Sequence, residues 1–296
     1  MRDRRPHPER PHFITWDGTR LCYHEVGDPS SPRVVVLVNG LFCSDSYYRF
    51  LHEDLAAAGY RVVGFDLRGH GASEPPLDRA HATIQACARD VVALLDHLGV
   101  EKAAVGGLSL GVQISLETWR RYPERVRALM AFTGPYENPL GTFYGLKVPP
   151  VVWRASLGNL VRFAPRSTNL IWHQVFKLPI VHPVARLLRS TAASGELMQP
   201  FYDHQTVVHV PTGLRLALAA IEHSARDLLP NIAVPTLIVA GGRDTFTPPE
   251  LSRTMRDEIP VVDFLEIPEG THTTLLEVPE VVNPRVLAFL ARVSWG

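Results

Sequence analysis

Short β-branched apolar runs alternate along the chain with longer segments whose apolar residues recur at helical spacing. The first run, Arg-Val-Val-Val-Leu-Val at residues 33–38, is followed by a helical pattern at 47–58. The same order then repeats, with strands predicted at 61–65, 103–106 and 126–132 and helices predicted at 84–98 and 109–122. This alternation predicts an α/β fold with a doubly wound, mostly parallel sheet.

The pattern returns near the C-terminus, with strands predicted at 236–240 and 262–267 and helices at 249–258 and 281–293. Residues 13–25 alternate apolar and polar positions instead. Such alternation is typical of a half-buried antiparallel hairpin, which we expect at the edge of the sheet.

Between residue 139 and about residue 225 the β-branched runs are missing, and helix-compatible stretches are interrupted by prolines. We predict a helical cap at 140–225, inserted into a core formed by 13–139 and 226–296. Some aromatic residues of this segment are expected to line a pocket, while others pack against neighbouring helices. The candidates are Phe143, Trp153, Phe163, Trp172, Phe176 and Phe201.

Thirty basic residues balance thirty acidic residues, so the formal net charge is zero. A chain without net charge has no general field that attracts nucleic acid or an anionic membrane, so a small, roughly neutral partner is expected. No apolar stretch approaches the roughly 18 residues needed to span a bilayer. Residues 1–12 lack the apolar core of a secretory signal, and we expect them to be a disordered tail.

Three cysteines, Cys22, Cys43 and Cys87, are widely spaced and form no CxxC motif. This pattern disfavours a disulfide framework or a zinc site and is typical of a reducing compartment. We therefore expect buried thiols in a cytoplasmic protein. No cluster of residues indicates a metal or an organic cofactor, so none is predicted.

Ser109 lies between Gly107 and Gly111, where a predicted strand meets a predicted helix. Glycines at these positions permit a sharp strand-to-helix turn that pushes the serine hydroxyl out of the sheet. A serine N-cap in a glycine-rich turn is the alternative interpretation, and the pentapeptide alone does not decide between them.

A serine nucleophile needs a histidine base and a carboxylate that orients this base. In a parallel sheet, reactive groups gather at the carboxyl ends of strands. Asp244 follows the predicted strand 236–240, and His272 follows the strand 262–267. These two residues are therefore the candidate acid and base. The alternative for Asp244 is a purely structural role, in a loop that only connects the strand to the next helix.

An acyl transfer also needs N–H donors for the developing oxyanion. The residue after the nucleophile, Leu110, is one candidate. The second candidate is Leu41, in the loop that follows the strand at 33–38.

Together these motifs resemble the α/β-hydrolase family of capped serine hydrolases, over residues 13–139 and 230–294. The resemblance rests on Asn39-Gly40, Asp66-Leu67-Arg68-Gly69-His70-Gly71-Ala72-Ser73, Gly107-Leu108-Ser109-Leu110-Gly111, Gly242-Arg243-Asp244 and Gly270-Thr271-His272. The order serine, acid, histidine also matches the family. Family members usually carry His-Gly where this chain has Asn39-Gly40. Because Asn can also hydrogen-bond the loop, we expect this difference to alter the activity and not to abolish it.

Several other polar residues are assigned structural roles. His70 is interpreted as a turn residue, and Asp66 and Arg68 are expected to brace the same loop. Asp90 and Asp227 do not follow strands, so a helix-surface or capping role is predicted for both. Cys43, beside the oxyanion loop, is expected to be a wall residue.

The sequence thus predicts a carboxylesterase-type serine hydrolase that acts on a small, largely apolar ester through an acyl-enzyme intermediate. The same machinery also suits hydrolysis of a C–C bond, a thioester or a lactone, or perhydrolysis with peroxide, because a fold does not select among them. A receptor that binds a small ligand under the cap is the non-enzymatic alternative. The oligomeric state is not predicted.

Overall fold

The β-branched runs of the sequence form one eight-stranded sheet in the computed structural model, which describes residues 10–138 and 149–295. The strands are β1 (His12–Ile14), β2 (Arg20–Val26), β3 (Val34–Val38), β4 (Arg61–Phe65), β5 (Ala103–Leu108), β6 (Val126–Phe132), β7 (Thr236–Gly241) and β8 (Val262–Ile267). Their order across the sheet is β1-β2-β4-β3-β5-β6-β7-β8. The six strands from β3 to β8 are parallel, which confirms the predicted fold class.

The antiparallel hairpin predicted at the sheet edge is present as β1 and β2. Its first strand corrects one prediction, because His12 pairs with Cys22 and therefore does not belong to a disordered tail. The carbonyl of Pro11 also accepts a hydrogen bond from the backbone N–H of Tyr23. The rest of the predicted tail, residues 1–9, lies outside the described residues.

Helices cover both faces of the sheet. They are α1 (Arg49–Ala57), α2 (Ile84–His97), α3 (Leu110–Arg121), α4 (Pro150–Phe163), α5 (Pro165–Val175), α6 (Val181–Leu187), α7 (Gly195–Gln205), α8 (Val210–Glu222), α9 (Pro249–Glu258), α10 (Thr274–Glu277) and α11 (Pro279–Leu290). One buried apolar cluster joins the sheet to α2, α3 and α9, and a second joins the opposite face to α1, α10 and α11. Two such layers are what a doubly wound sheet requires.

Helices α2 and α3 agree with their predicted bounds to within one residue at each end, whereas α1 and α11 differ by more. The helix predicted at 47–58 begins with a separate 3-10 turn, Asp45–Tyr48, before α1. The closing helix starts two residues earlier than predicted, because Pro279 occupies its first turn, where proline has no N–H to leave unpaired.

Among the described residues between β6 and β7 there are five helices, α4 to α8, and we call them the helical segment. Over the described residues 149–235 it contains no strand, in agreement with the sequence pattern. Its prolines begin helices at α4, α5 and α8 and interrupt α7 at Pro200. Phe143 lies outside the described residues.

The loop after β4 is braced from within, as predicted. Asp66 accepts a hydrogen bond from the Ala72 N–H, and Arg68 is fully buried. Arg68 pairs with two carboxylates, those of Asp17 and Asp90, and the second corrects a prediction. Asp90 is not on a helix surface but is itself buried, with Oδ2 2.5 Å from Nε of Arg68. A buried guanidinium requires such a carboxylate, and the sequence pattern did not connect them. Asp227 does lie on the surface, as predicted.

Candidate active site

Ser109 occupies the sharp turn between β5 and α3. Its φ of 53° and ψ of −117° place it in a strained region that non-glycine residues rarely adopt. A Cβ at Gly107 would lie 2.0 Å from the carbonyl oxygen of Gly111, and a Cβ at Gly111 would lie 2.3 Å from that of Val38. The two glycines are therefore required by packing, and Ser109 lines a cavity at the N-terminus of α3.

The predicted acid and base meet at the same sheet edge. Asp244 follows β7 and His272 follows β8, and the distance from Asp244 Oδ2 to His272 Nδ1 is 2.8 Å. An ionised carboxylate only accepts hydrogen bonds, so Nδ1 carries the proton. This tautomer leaves Nε2 of His272 free to act as a base.

The carboxylate of Asp244 is buried and surrounded by donors. Its Oδ1 accepts hydrogen bonds from the N–H groups of Phe246 and Thr247, at 2.8 and 2.9 Å. The hydroxyl of Thr247 lies 2.8 Å from both Asp244 Oδ2 and the carbonyl oxygen of Thr133. The hydroxyl of Thr133 in turn donates to the carbonyl of His272. The two threonines were missed from the sequence, where the only signal was a threonine three residues after an acid, a common local hydrogen-bonding pattern.

Ser109 and His272 line the same cavity, which brings all three predicted residues to one edge of the sheet. Ser109 Oγ and His272 Nε2 do not form a direct hydrogen bond in this structure. Such bonds frequently tighten only when substrate binds. The ring of Phe246 packs against the imidazole of His272, with 5.1 Å between the ring centroids.

The loop after β3 lies directly against Ser109. A Cβ at Gly40 would be only 3.1 Å from the Cβ of Ser109. Within this loop, the Phe42 N–H donates to His70 Nε2 and the Cys43 N–H donates to the Gly40 carbonyl. The Leu41 N–H has no acceptor among the described residues, and neither has the N–H of Leu110, the first residue of α3. Both residues line the cavity.

Asn39 does not bond the loop itself, which differs from our expectation. Its Nδ2 donates to the carbonyl of Phe65, at the end of β4, over 3.1 Å. The side chain thus ties the ends of β3 and β4 together beneath the loop. Its Oδ1 is buried and has no partner in the part of the chain that the structure describes.

The helical segment also contacts the loop. Nε2 of Gln205, on α7, donates to the carbonyl of Phe42 at 2.5 Å, and Oε1 of Gln205 accepts from Trp172 Nε1. The rings of Phe42 and Trp172 pack with 4.7 Å between their centroids. Phe42 therefore has its N–H bonded to the core and its carbonyl bonded to the helical segment.

The cavity above Ser109 has a volume of about 470 Å³ and is lined mainly by apolar side chains. Of the predicted aromatic residues, Trp172, Phe176 and Phe201 line it, whereas Phe163 is 72% exposed and Trp153 is not among the lining residues. No Asp, Glu, Lys or Arg side chain of the described residues lines the cavity.

Cys43 is a wall residue of the cavity, as predicted. Burial raises the pKa of its thiol to about 12, so the thiol is protonated at neutral pH and is not a competing nucleophile. Cys22 and Cys87 are also free and buried, which confirms the expected buried thiols.

Residues 33–279 match a family model described as alpha/beta hydrolase fold. The chain belongs to the alpha/beta hydrolase family. This hydrolase is 30% identical to the dihydrolipoyllysine-residue acetyltransferase component of an acetoin cleaving system from Pseudomonas putida, over 93% of its own chain and 68% of that protein. It is 28% identical to the 3-hydroxybutyrate-oligomer hydrolase of Cupriavidus necator, over 94% of its own chain and 93% of that protein.

A solved esterase from Exiguobacterium antarcticum has the same fold as the hydrolase. The two structures superpose with a TM-score of 0.76, over 95% of this chain and 99% of that one, at 20% identity. At this identity the likeness concerns the fold alone.

Glu277 of the hydrolase is a further polar residue that the sequence did not reveal. Its carboxylate accepts hydrogen bonds from the backbone N–H and hydroxyl of Thr271 and from the hydroxyl of Thr273, the two neighbours of His272. It also accepts the N–H of Ala192, in the helical segment, at 2.9 Å. Glu277 therefore fixes the histidine loop on both sides of His272 and joins it to the helical segment.

The described residues of the hydrolase include no group of three or more His, Cys, Asp or Glu side chains suited to hold a metal ion. No helix within the described ranges has the length and apolar character to cross a bilayer.

Proposed function

We propose that this hydrolase cleaves small, largely apolar carboxylic esters, with Ser109 as nucleophile, His272 as base and Asp244 as orienting acid. The observation that carries the proposal is the buried 2.8 Å hydrogen bond between Asp244 and His272, at a cavity that Ser109 also lines. This bond fixes the tautomer in which His272 can remove a proton from a hydroxyl.

In the first step, Ser109 Oγ attacks the ester carbonyl carbon while its proton passes to Nε2 of His272. The N–H groups of Leu41 and Leu110 stabilise the oxyanion, and each such donor lowers the barrier by about 2.7 to 4 kcal/mol. Collapse of this intermediate breaks the bond to the leaving alcohol, which takes the proton from His272. The acyl group stays on Ser109.

In the second step, His272 removes a proton from water, which attacks the acyl carbon. The second tetrahedral intermediate breaks the bond to Ser109 Oγ, which regains a proton from His272. The carboxylic acid then leaves, and no cofactor takes part in the proposed reaction.

An apolar substrate is supported by the lining of the cavity, which carries no charged carboxylate or cation among the described residues. The 3-hydroxybutyrate-oligomer hydrolase of Cupriavidus necator is consistent with hydrolytic chemistry in this family. Hydrolysis of a C–C bond, thioester or lactone, and perhydrolysis, use the same residues and remain the alternatives. The three buried free thiols support a cytoplasmic location, and the run of five helices supports a cap at 140–225.

A fluorophosphonate probe and a panel of nitrophenyl esters of increasing acyl length test the proposal, with a diketone and a lactone assayed beside them. We expect labelling of Ser109 and turnover that Ser109→Ala reduces about 10⁶-fold. Ser115→Ala, which removes another buried hydroxyl from α3, is the matched control and should retain activity. Full turnover by Ser109→Ala would refute the proposal, and tight ligand binding with negligible turnover by the unmodified protein would favour a receptor.

A further inference from the structure

We propose that helix α6 and the adjacent arginines form a docking surface for an anionic lipid bilayer. We call this surface the α6 rim and define it by Val184, Arg186, Leu187, Leu188 and Arg189. The proposal goes beyond the proposed function, because docking does not require turnover.

The apolar part of the α6 rim is continuous with the cavity. Val184, Leu187 and Leu188 follow the i, i+3, i+4 spacing that places side chains on one face of a helix. Val184 and Leu188 line the cavity and are also 41% and 49% exposed, and Leu187 is 80% exposed. Val184 and Leu188 therefore belong both to the cavity wall and to the surface, and Leu187 beside them faces solvent without lining the cavity.

The cationic part lies in a second, smaller cleft of about 170 Å³, which shares Thr191 with the cavity. Arg186, Arg189 and Arg243 line this cleft. Arg243 forms an ion pair with Glu269, whereas neither Arg186 nor Arg189 has a carboxylate partner among the described residues. Two uncompensated guanidinium groups therefore stand beside the cavity mouth, and guanidinium binds phosphate through paired N–H donors.

The stretch of chain that contains the α6 rim has the same character. Residues 149–190 contain no Asp or Glu, although the whole chain is neutral. Their basic residues are Arg154, Arg162, Arg166, Lys177, Arg186 and Arg189. Of the eighteen exposed large apolar side chains of the described residues, twelve lie in this stretch. A surface that combines apolar and basic side chains in this way is typical of proteins that lie in the interface of an anionic membrane.

The charge of the rim favours a bilayer over other occupants. A two-fold contact made within 149–190 would bury Arg186 and Arg189 against a stretch that has no Asp or Glu to pair with them. Nucleic acid would match the arginines but would leave the apolar face uncovered. An anionic bilayer offers phosphates to the arginines and hydrocarbon to Val184, Leu187 and Leu188.

Vesicle co-sedimentation tests the proposal with the full chain carrying Ser109→Ala, so that no hydrolysis changes the membrane. The vesicles contain either a phosphatidylglycerol and phosphatidylcholine mixture or phosphatidylcholine alone. We expect binding to the anionic vesicles at least tenfold stronger than to the zwitterionic ones, and weaker in high salt. Leu187→Glu and the double variant Arg186→Glu, Arg189→Glu should each reduce the partition coefficient about tenfold or more.

Leu77→Glu and Arg79→Glu are the matched controls, because Leu77 is 81% exposed and both residues lie on the exposed connection between β4 and α2, outside the helical segment. They should bind anionic vesicles like the unmodified chain. Equal binding to both vesicle types, or an unchanged partition coefficient in the Leu187→Glu variant, would overturn the proposal. A dimer that Leu187→Glu converts to a monomer in analytical ultracentrifugation would also overturn it, in favour of a second copy.

The test is separate from that of the proposed function. The Leu187→Glu variant with Ser109 restored should hydrolyse a short, soluble nitrophenyl ester at the unmodified rate, which shows that it is folded. Loss of vesicle binding with retained soluble turnover supports docking at the rim. Vesicle binding together with no ester turnover by the chain that retains Ser109 would contradict the proposed function and leave the docking surface supported.

Discussion

The backbone N–H of Phe42 donates a hydrogen bond to Nε2 of His70 over 3.0 Å. The other ring nitrogen of His70 lies 3.0 Å from the carbonyl oxygen of Arg68, so Nδ1 must be the donor and the imidazole must be neutral. Phe42 has a φ of 60°, which costs energy for a residue with a Cβ. His70 therefore holds the loop of Leu41 in a conformation that it would not readily adopt alone.

His70→Ala should lower kcat about tenfold or more with a smaller change in KM, because the proposed mechanism uses the Leu41 N–H mainly in the transition state. The variant should also lose about 1 to 3 kcal/mol of unfolding free energy, since the Phe42 N–H loses its acceptor. Steady-state kinetics and urea denaturation measure both effects. His97→Ala removes an exposed imidazole from α2 and is the control; an equal effect in both variants would contradict this role of His70.

The stability that three buried histidines contribute should fall between pH 6.5 and pH 4. Burial lowers the pKa of His70 and His52 to about 4 and that of His204 to about 3. Between these values and the unfolded pKa of about 6.5, the unfolded chain binds more protons, so stability is complete above pH 6.5 and is lost on acidification. At pH 5 each such histidine costs up to about 2 kcal/mol.

Urea denaturation at a series of pH values measures this dependence. His52→Gln removes one of the titrating groups and should flatten the slope of unfolding free energy against pH in this range. A slope identical to that of the unmodified protein would show that His52 does not contribute.

Asp244→Asn should reduce kcat about 10,000-fold at neutral pH, although it preserves the shape of the side chain. The N–H groups of Phe246 and Thr247 hold the position of Oδ1, so an Asn would keep its oxygen there and turn its NH₂ toward His272. That arrangement favours the tautomer with the proton on Nε2, which cannot accept the proton of Ser109. Asp227→Asn, at an exposed acid, is the control, and a comparable loss there would contradict the assignment.

Glu277→Gln should lower kcat and destabilise the protein by about 1 to 3 kcal/mol. Each carboxylate oxygen accepts a hydrogen bond from a backbone N–H, one from Ala192 and the other from Thr271. In the glutamine variant the NH₂ group replaces one of these oxygens and would face a backbone N–H that then has no acceptor. The histidine loop should then be less ordered, which affects kcat more than KM. Parallel kinetics on Glu280→Gln, at an exposed glutamate of α11, provide the comparison; equal kcat values for the two variants would exclude a positioning role.

The fold was largely predictable because its signals are local. A few neighbouring residues are enough to predict the conformation of β3, from its β-branched run, and of the turn at Ser109, from its flanking glycines. The edge of the sheet also indicated where Asp244 and His272 should meet, because strand ends in a parallel sheet converge.

The contacts that were missed connect distant parts of the chain. Asp90 meets Arg68, and Glu277 reaches Ala192, through packing that no periodicity encodes. The total charge was similarly uninformative, since a net charge of zero conceals the stretch at 149–190, which carries only positive charges. Such properties depend on where side chains lie, and they become visible only when the chain is folded.

Phe42 is bonded through its N–H to His70 of the loop after β4 and through its carbonyl to Gln205 of α7. Moving α7 away from the sheet to admit a molecule would stretch or break the second bond and release the Leu41 loop. The position of α7 is therefore coupled to the conformation of the Leu41 loop through the single carbonyl of Phe42.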